Sequence, residues 1–236
     1  MTAPGDYAFL VIPVKPAVGA KQRLASELPS EARQLVSRAL AARMIRCAAE
    51  GWDPSQVVVV SDDADTVQLC TRIGLATLLD DGGGQSHAVR VGQRWCLERG
   101  ARTLATVAAD LPLVDSDDLR RLKQAAVALP PKSLRVIPDR AGSGSNGILV
   151  NPADADPFAF GPDSLRLHRA AAERLGLGFG VLELPHLAWD VDRPEDLGPL
   201  QPELAGPAHP VVAWAEEVAA LRRQSSSRQE PPDHDS

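Results

Sequence analysis

The sequence predicts an α/β fold: one mostly parallel central sheet, doubly wound, with helices on both faces. Three observations carry this. Strand-like and helix-like stretches alternate from Tyr7 to Pro185. Two of the strand-like runs, "QVVVVS" and "RTLATVAAD", are apolar without alternation, as in strands covered on both faces. The chain has 236 residues, 44% of them hydrophobic, which is enough for one large core. Strand, helix, strand at this spacing implies right-handed crossovers between parallel neighbours.

Each element has its own local reason. "YAFLVIPV" is a short β-rich run. Ser30 to Glu50 is helical, because Leu35, Ala39, Met44 and Ala48 recur at helical spacing, and Gly51 is a stop. "QVVVVS" is a buried strand, Asp63 to Ile73 a helix, and "LATLLD" a short strand before the turn "DGGGQ". His87 to Glu98 is a helix and "RTLATVAAD" a buried strand. Asp117 to Ala128 is a helix with Asp115 or Ser116 as its cap. "SLRVIPD" and "NGILVN" are strands, Ser164 to Leu175 a helix, and "FGVLELP" the last strand. The main domain is expected over 7–200 and a helical extension over 201–221. The polar, Pro-containing 222–236, ending "QSSSRQEPPDHDS", is expected to be disordered.

Composition excludes several classes. The net charge of -6 gives no nucleic-acid footprint and no basic membrane face. No apolar run approaches the roughly 20 residues of a membrane span. The start "MTAPGDYAFLVIPVK" has no basic segment before a cleavable apolar stretch. The three cysteines, Cys47, Cys70 and Cys96, are scattered and odd in number, which suits packing thiols in a reducing cytoplasm. An acidic chain that binds anions must do so with local cations, backbone amides or a metal.

Four stretches could carry chemistry. "VIPVKPAVGAKQRLA" places Lys15, Lys21 and Arg23 after the first strand, where open α/β sheets bind ligands. It lacks the P-loop pattern, and three solvated charges are the alternative. "VAADLPLVDSDDL" puts Asp110 at the tip of an apolar strand, where a carboxylate needs a partner such as a divalent ion. "LAWDVDRPEDL" has Asp190 and Asp192 two apart in an extended stretch, on one face, where a cation between them would relieve repulsion. A solvated acidic turn is the alternative. "DDGGGQSHAV" is a flexible turn at a helix start that could face an anion or a base. His87 and His168 are most simply helix residues, Trp189 a packing residue. A fifth stretch, "SGSNGILVNPADADPFAFGPDS", sets two Gly/Ser turns around one apolar run, and such turns leave backbone N–H groups open to a phosphate.

These stretches, in this order, resemble the CofC/FbiD family of phospho-carboxylate guanylyltransferases of coenzyme F-420 biosynthesis. The resemblance runs from about Phe9 to Leu197 and is carried by "VKPAVGAKQRL", "ADLPLV", "DRAGSGSNGILVNPADADPFAFGPDSLRLH" and "WDVDRPEDL". It implies a single-domain nucleotidyltransferase fold, Rossmann-like and of glycosyltransferase-A type. It implies GTP, Mg2+ and a small phosphorylated acid: 2-phospholactate, phosphoenolpyruvate or 3-phosphoglycerate. By position, the family's metal aspartates fall on Asp110, Asp190 and Asp192, and its acceptor-phosphate contacts on Ser145, Gly161 and Ser164. Lys15 and Lys21 match the basic loop facing the triphosphate, with Arg23 beside them, and Gly83 and Gly84 the nucleotide-facing turn. The chain departs from the family where Ser143 and Ser145 replace threonines and where Gln85-Ser86 replaces a Leu-Asn pair. A molybdopterin or sugar-phosphate nucleotidyltransferase would share Asp110 and the basic loop without needing the paired Gly/Ser turns. A non-catalytic nucleotide-binding protein would not need three aspartates.

Overall fold

The computed structural model describes residues 7–17, 19, 21–26, 28–192 and 196. The expected C-terminal extension and tail lie outside these residues. The chain clusters into two compact units, Met1–Pro16 with Leu40–Asp190 and Ala17–Ala39 with Val191–Ser236.

The first unit holds the whole sheet. Its strands are β1 (Ala8–Pro13), β2 (Val57–Val60), β3 (Ala76–Leu78), β4 (Thr103–Val107), β5 (Ser133–Pro138), β6 (Ser145–Asn151) and β7 (Gly178–Val181). Their order is β3-β2-β1-β4-β6-β5-β7. All neighbours are parallel except β6, which runs antiparallel to both β4 and β5. The helices are α1 (Ser30–Gly51), which begins in the other unit, α2 (Ala64–Ile73), α3 (Gln85–Glu98), α4 (Ser116–Val127) and α5 (Ser164–Leu175).

The pleat sends successive side chains to opposite faces, and two cores result. On one face Leu10, Ile12, Val57, Val59 and Val107 pack against Met44, Ile45 and Ala48 of α1 and Leu119 and Leu122 of α4. On the other, Phe9, Val11, Val58, Val60 and Leu104 pack against Ala88, Val89 and Cys96 of α3 and Ala172 of α5. Every residue of β1, β2 and β4 is buried, as unbroken apolar runs require. Gly92 lets α3 approach β1 closely, since a Cβ there would lie 2.4 Å from Val11 Cγ1. Burial pushes the thiols up, to about 11 for Cys47 and Cys70 and about 12 for Cys96, so all three are inert packing groups.

Three local expectations change. The helix expected to stop at Gly51 includes it, and the glycine admits the start of α4: a Cβ would lie 2.5 Å from the Ser116 carbonyl oxygen. The strand read through "RTLATVAAD" ends at Val107, and the last strand ends at Val181. Pro185–Ala188 forms a 3-10 turn instead, with proline at its start. In the second unit Leu24, Leu28, Ala32 and Val36 are buried, and the Arg33 guanidinium donates to the Leu28 carbonyl at 2.8 Å. Among the described residues no helix is long and apolar enough to cross a membrane.

Candidate active site

The strand order reverses between β1 and β4, and open α/β sheets bind ligands beyond the carboxyl ends of the strands at such a point. Lys15 follows β1 there and is exposed; Asp110 follows β4 and is half-buried. Asp110 stands in the loop beyond the strand. The chain before it is still tied to the sheet, because the Ala108 amide donates to the Asn146 carbonyl at 2.7 Å.

Asn146, on β6, reaches the opposite way with its side chain. Its Nδ2 donates to the Leu187 carbonyl at 3.1 Å and lies 3.5 Å from Asp190 Oδ1. One buried amide therefore orients both the backbone and the carboxylate of the segment carrying Asp190. Arg140, on the β5–β6 turn, stacks its guanidinium 4.1 Å from the centre of the Trp189 ring. Trp189, expected only to pack, also serves as that platform.

Asp192 belongs to the second unit, Asp190 to the first. Neither lies in a strand of the sheet. Asp192 is instead the anion of a cluster: Lys21 Nζ lies 3.3 Å from Oδ1 and Arg23 Nη1 3.4 Å from Oδ2. Its amide donates to Asp196 Oδ2 at 3.0 Å. Two residues expected to meet a triphosphate thus neutralise one expected to hold a metal.

The two Gly/Ser turns meet. Asp139 clasps the first: its Oδ1 accepts from the Ser143 amide at 2.9 Å, and its carbonyl from the Gly142 amide at 3.0 Å. The Leu165 amide, in the first turn of α5, donates to the Ser143 carbonyl at 3.1 Å, which joins the turns directly. Gly161 has φ 138, in the region that favours glycine, and its carbonyl accepts from the Ser164 amide at 3.2 Å. Ser164 is buried and is the first residue inside the helix; Asp163 is the cap, with φ 55 and no side-chain capping bond.

His168 was not expected here. It lies one turn into α5, fully buried, with Nδ1 3.0 Å from Ser145 Oγ. Its Nε2 accepts from the Ala159 amide at 3.0 Å. The Phe160 ring meets it edge-on, centroids 5.0 Å apart. Burial pushes its pKa down to about 4, so it is neutral at pH 7. The signal in the sequence was its four-residue spacing from Ser164, which puts both on one helix face.

The segment between the turns is pinned to α3. Ser86, Arg90 and Gln93 stand at i, i+4 and i+7 on that helix. Ser86 Oγ accepts from the Phe160 amide at 2.9 Å, and Arg90 reaches Asp156 at 2.7 Å and the Phe158 carbonyl at 2.8 Å. Gln93 Nε2 donates to the carbonyls of Ala153 and Ala155 at 2.7 and 2.8 Å. The same helix starts from Gly82, Gly83 and Gly84, all with positive φ, and Gly84 caps it without a side chain. His87, expected as a surface residue, closes this turn: Nε2 is 2.6 Å from Asp81 Oδ1, and that bond holds the Asp81 carboxyl low.

Among the described residues, Asp115, Asp118 and His186 form a close set with donor atoms within 4.8 Å of one another. These groups already have partners. Asp115 and Asp118 complete the capping box of α4, and His186 Nδ1 lies 2.9 Å from Asp118 Oδ2. Burial pushes the Asp118 carboxyl up against the pull of His186.

The fold is shared with a solved nucleotidyl transferase from Methanothermobacter, which matches with a TM-score of 0.57 at 13% identity, over 84% of this chain and 97% of that one. A candidate nucleotide-diphospho-sugar transferase from Desulfovibrio desulfuricans G20 matches with a TM-score of 0.67 at 15% identity, over 93% of this chain and 98% of that one. The sequence carries the assignment further. Residues 8–203 match the family described as Guanylyl transferase CofC like, and the chain belongs to that family of guanylyltransferases. Two relatives are named phosphoenolpyruvate guanylyltransferase. The Rubrobacter xylanophilus protein is 38% identical over 82% of this chain and 93% of its own. The Sphaerobacter thermophilus protein is 35% identical over 88% of this chain and 96% of its own.

Proposed function

We propose that this enzyme transfers GMP from GTP to a small phosphorylated carboxylic acid, releasing pyrophosphate, in the cytoplasmic synthesis of coenzyme F-420. Phosphoenolpyruvate leads the acceptors, because the relatives at 38% and 35% identity carry that name. A Colwellia psychrerythraea relative at 27% is named for 3-phospho-D-glycerate, which makes that acid the second to test. The observation that carries the reading is the meeting of the two Gly/Ser turns, Leu165 amide to Ser143 carbonyl, around Ser145, Gly161 and Ser164.

In this reading an acceptor phosphate oxygen attacks the α-phosphorus of GTP and the bond to the β-phosphate breaks. No protein nucleophile is required; positioning and charge neutralisation do the work. Ser145, Gly161 and Ser164 hold the acceptor's phosphate. Lys15, Lys21 and Arg23 meet the triphosphate, and Gly83 and Gly84 let the nucleotide approach the start of α3. Asp110, Asp190 and Asp192 offer the hard oxygen donors that suit Mg2+, and the Asn146 bond near Asp190 fits a carboxylate held ready as a ligand. Bound there, Mg2+ would neutralise charge on the phosphate oxygens.

The test is pyrophosphate release with each of four nucleoside triphosphates against phosphoenolpyruvate, 3-phosphoglycerate, 2-phospholactate and a sugar 1-phosphate. Turnover only with GTP and one of these acids is expected. Turnover with a sugar phosphate and none of the acids would overturn the reading.

A further inference from the structure

We propose that His168 is a positioning residue: held as the Nδ1–H tautomer, it donates to Ser145 Oγ and so leaves the Ser145 hydroxyl proton free to bind an acceptor's phosphate oxygen. The proposal rests on the reading of Ser145 as an acceptor contact.

The direction of each bond follows from one fixed donor. The Ala159 amide, 3.0 Å from Nε2, can only donate, so Nε2 carries the lone pair. A neutral imidazole then has its proton on Nδ1. At 3.0 Å from Ser145 Oγ, Nδ1 is therefore the donor and Oγ the acceptor. The hydroxyl proton must go to a third atom. A phosphate oxygen, which only accepts, is the matched partner. In the opposite tautomer Ser145 would spend its proton on the ring and present lone pairs, which repel an oxyanion.

The surroundings hold this state. His168 is fully buried, so a charged ring with two N–H groups is disfavoured at neutral pH. Phe160 fixes the ring plane, and Ser86 fixes Phe160 by accepting from its amide. The polar chain therefore runs from Ala159 through His168 to Ser145, anchored on α3.

Two substitutions separate the two ring nitrogens. Asn at 168 keeps a donor near the Nδ1 position and loses the acceptor for Ala159; Gln reaches the Nε2 position and loses the donor to Ser145. With phosphoenolpyruvate, and 3-phosphoglycerate in parallel, His168→Gln should raise the acceptor KM about tenfold. The GTP KM should stay within about twofold, and His168→Asn should cost less than the glutamine. Adding Ser145→Ala to His168→Gln should cost no more than Ser145→Ala alone, because both remove one oriented donor. Nitrogen NMR of the parent reads the tautomer without any variant: an Nε2–H ring, or an imidazolium at pH 7, overturns the proposal while the acceptor site stands. So does a His168→Gln protein with the parent's acceptor KM when Ser145→Ala raises it. If Ser145→Ala itself leaves the acceptor KM unchanged, the reading of the acceptor site fails and takes the proposal with it.

Discussion

Lys21 Nζ lies 3.3 Å from Asp192 Oδ1, and the lysine side chain is only 7% exposed. An incoming triphosphate would compete for the same ammonium. Lys21→Gln is therefore expected to raise the GTP KM by on the order of tenfold. Stability should change by less than about 1 kcal/mol, because the carboxylate is 45% exposed and solvent screens the pair. Steady-state kinetics with GTP varied, beside a urea titration, checks both. An unchanged GTP KM would remove Lys21 from the nucleotide site.

Asp190→Asn removes a charge with little change of shape, and the new side chain still offers an oxygen near Asn146 Nδ2. The fold should survive and kcat should fall on the order of 10²-fold, the scale for losing one charge-stabilising group. Titrating Mg2+ against turnover in parent and variant is the check. A folded variant with near-parental turnover and unchanged Mg2+ dependence would exclude Asp190 as a ligand.

His168 makes the fold pH-sensitive. Its pKa is near 6.5 when unfolded and pushed down to about 4 in the fold by burial. Between those values the unfolded chain binds the extra proton, so stability is full above about pH 6.5 and is lost as pH falls toward 4. The slope from this residue is at most ~1.4 kcal/mol per pH unit. Asp118, pushed up by burial, acts in the opposite sense at the acid end. Urea unfolding from pH 7 to pH 5 should show the loss in the parent and a flatter profile in His168→Asn. Equal slopes in the two proteins would mean that His168 titrates normally in the fold.

Gly92→Ala tests the seat of α3. The added Cβ would meet Val11 Cγ1 at 2.4 Å, in the middle of β1, where neither element can yield freely. A loss of about 1–3 kcal/mol is expected, the usual cost of overpacking. A calorimetric Tm equal to the parent's would show that α3 can shift without cost.

Among the described residues, all seven strands and five α-helices were legible in the chain because each has a local cause. "VVVV" is buried wherever it sits in a parallel sheet, and Asp115 lies one residue before the helix it caps with Asp118. The site was legible as residue types: carboxylates after strands, cations after β1, glycines in turns. Their pairing was not. Asp192 read as one of three aspartates for a metal; that Lys21 and Arg23, more than 160 residues away in the chain, also reach its carboxylate was not readable. His168 read as one more helix residue, and its role appears only when Ala159 and Ser145 bracket its two nitrogens. Backbone conformation and burial depend on neighbours a few residues away, and a single sequence displays those. The direction of a hydrogen bond, and the choice of partner for a charge, depend on which distant atoms come within about 3 Å. Only the packed chain decides that.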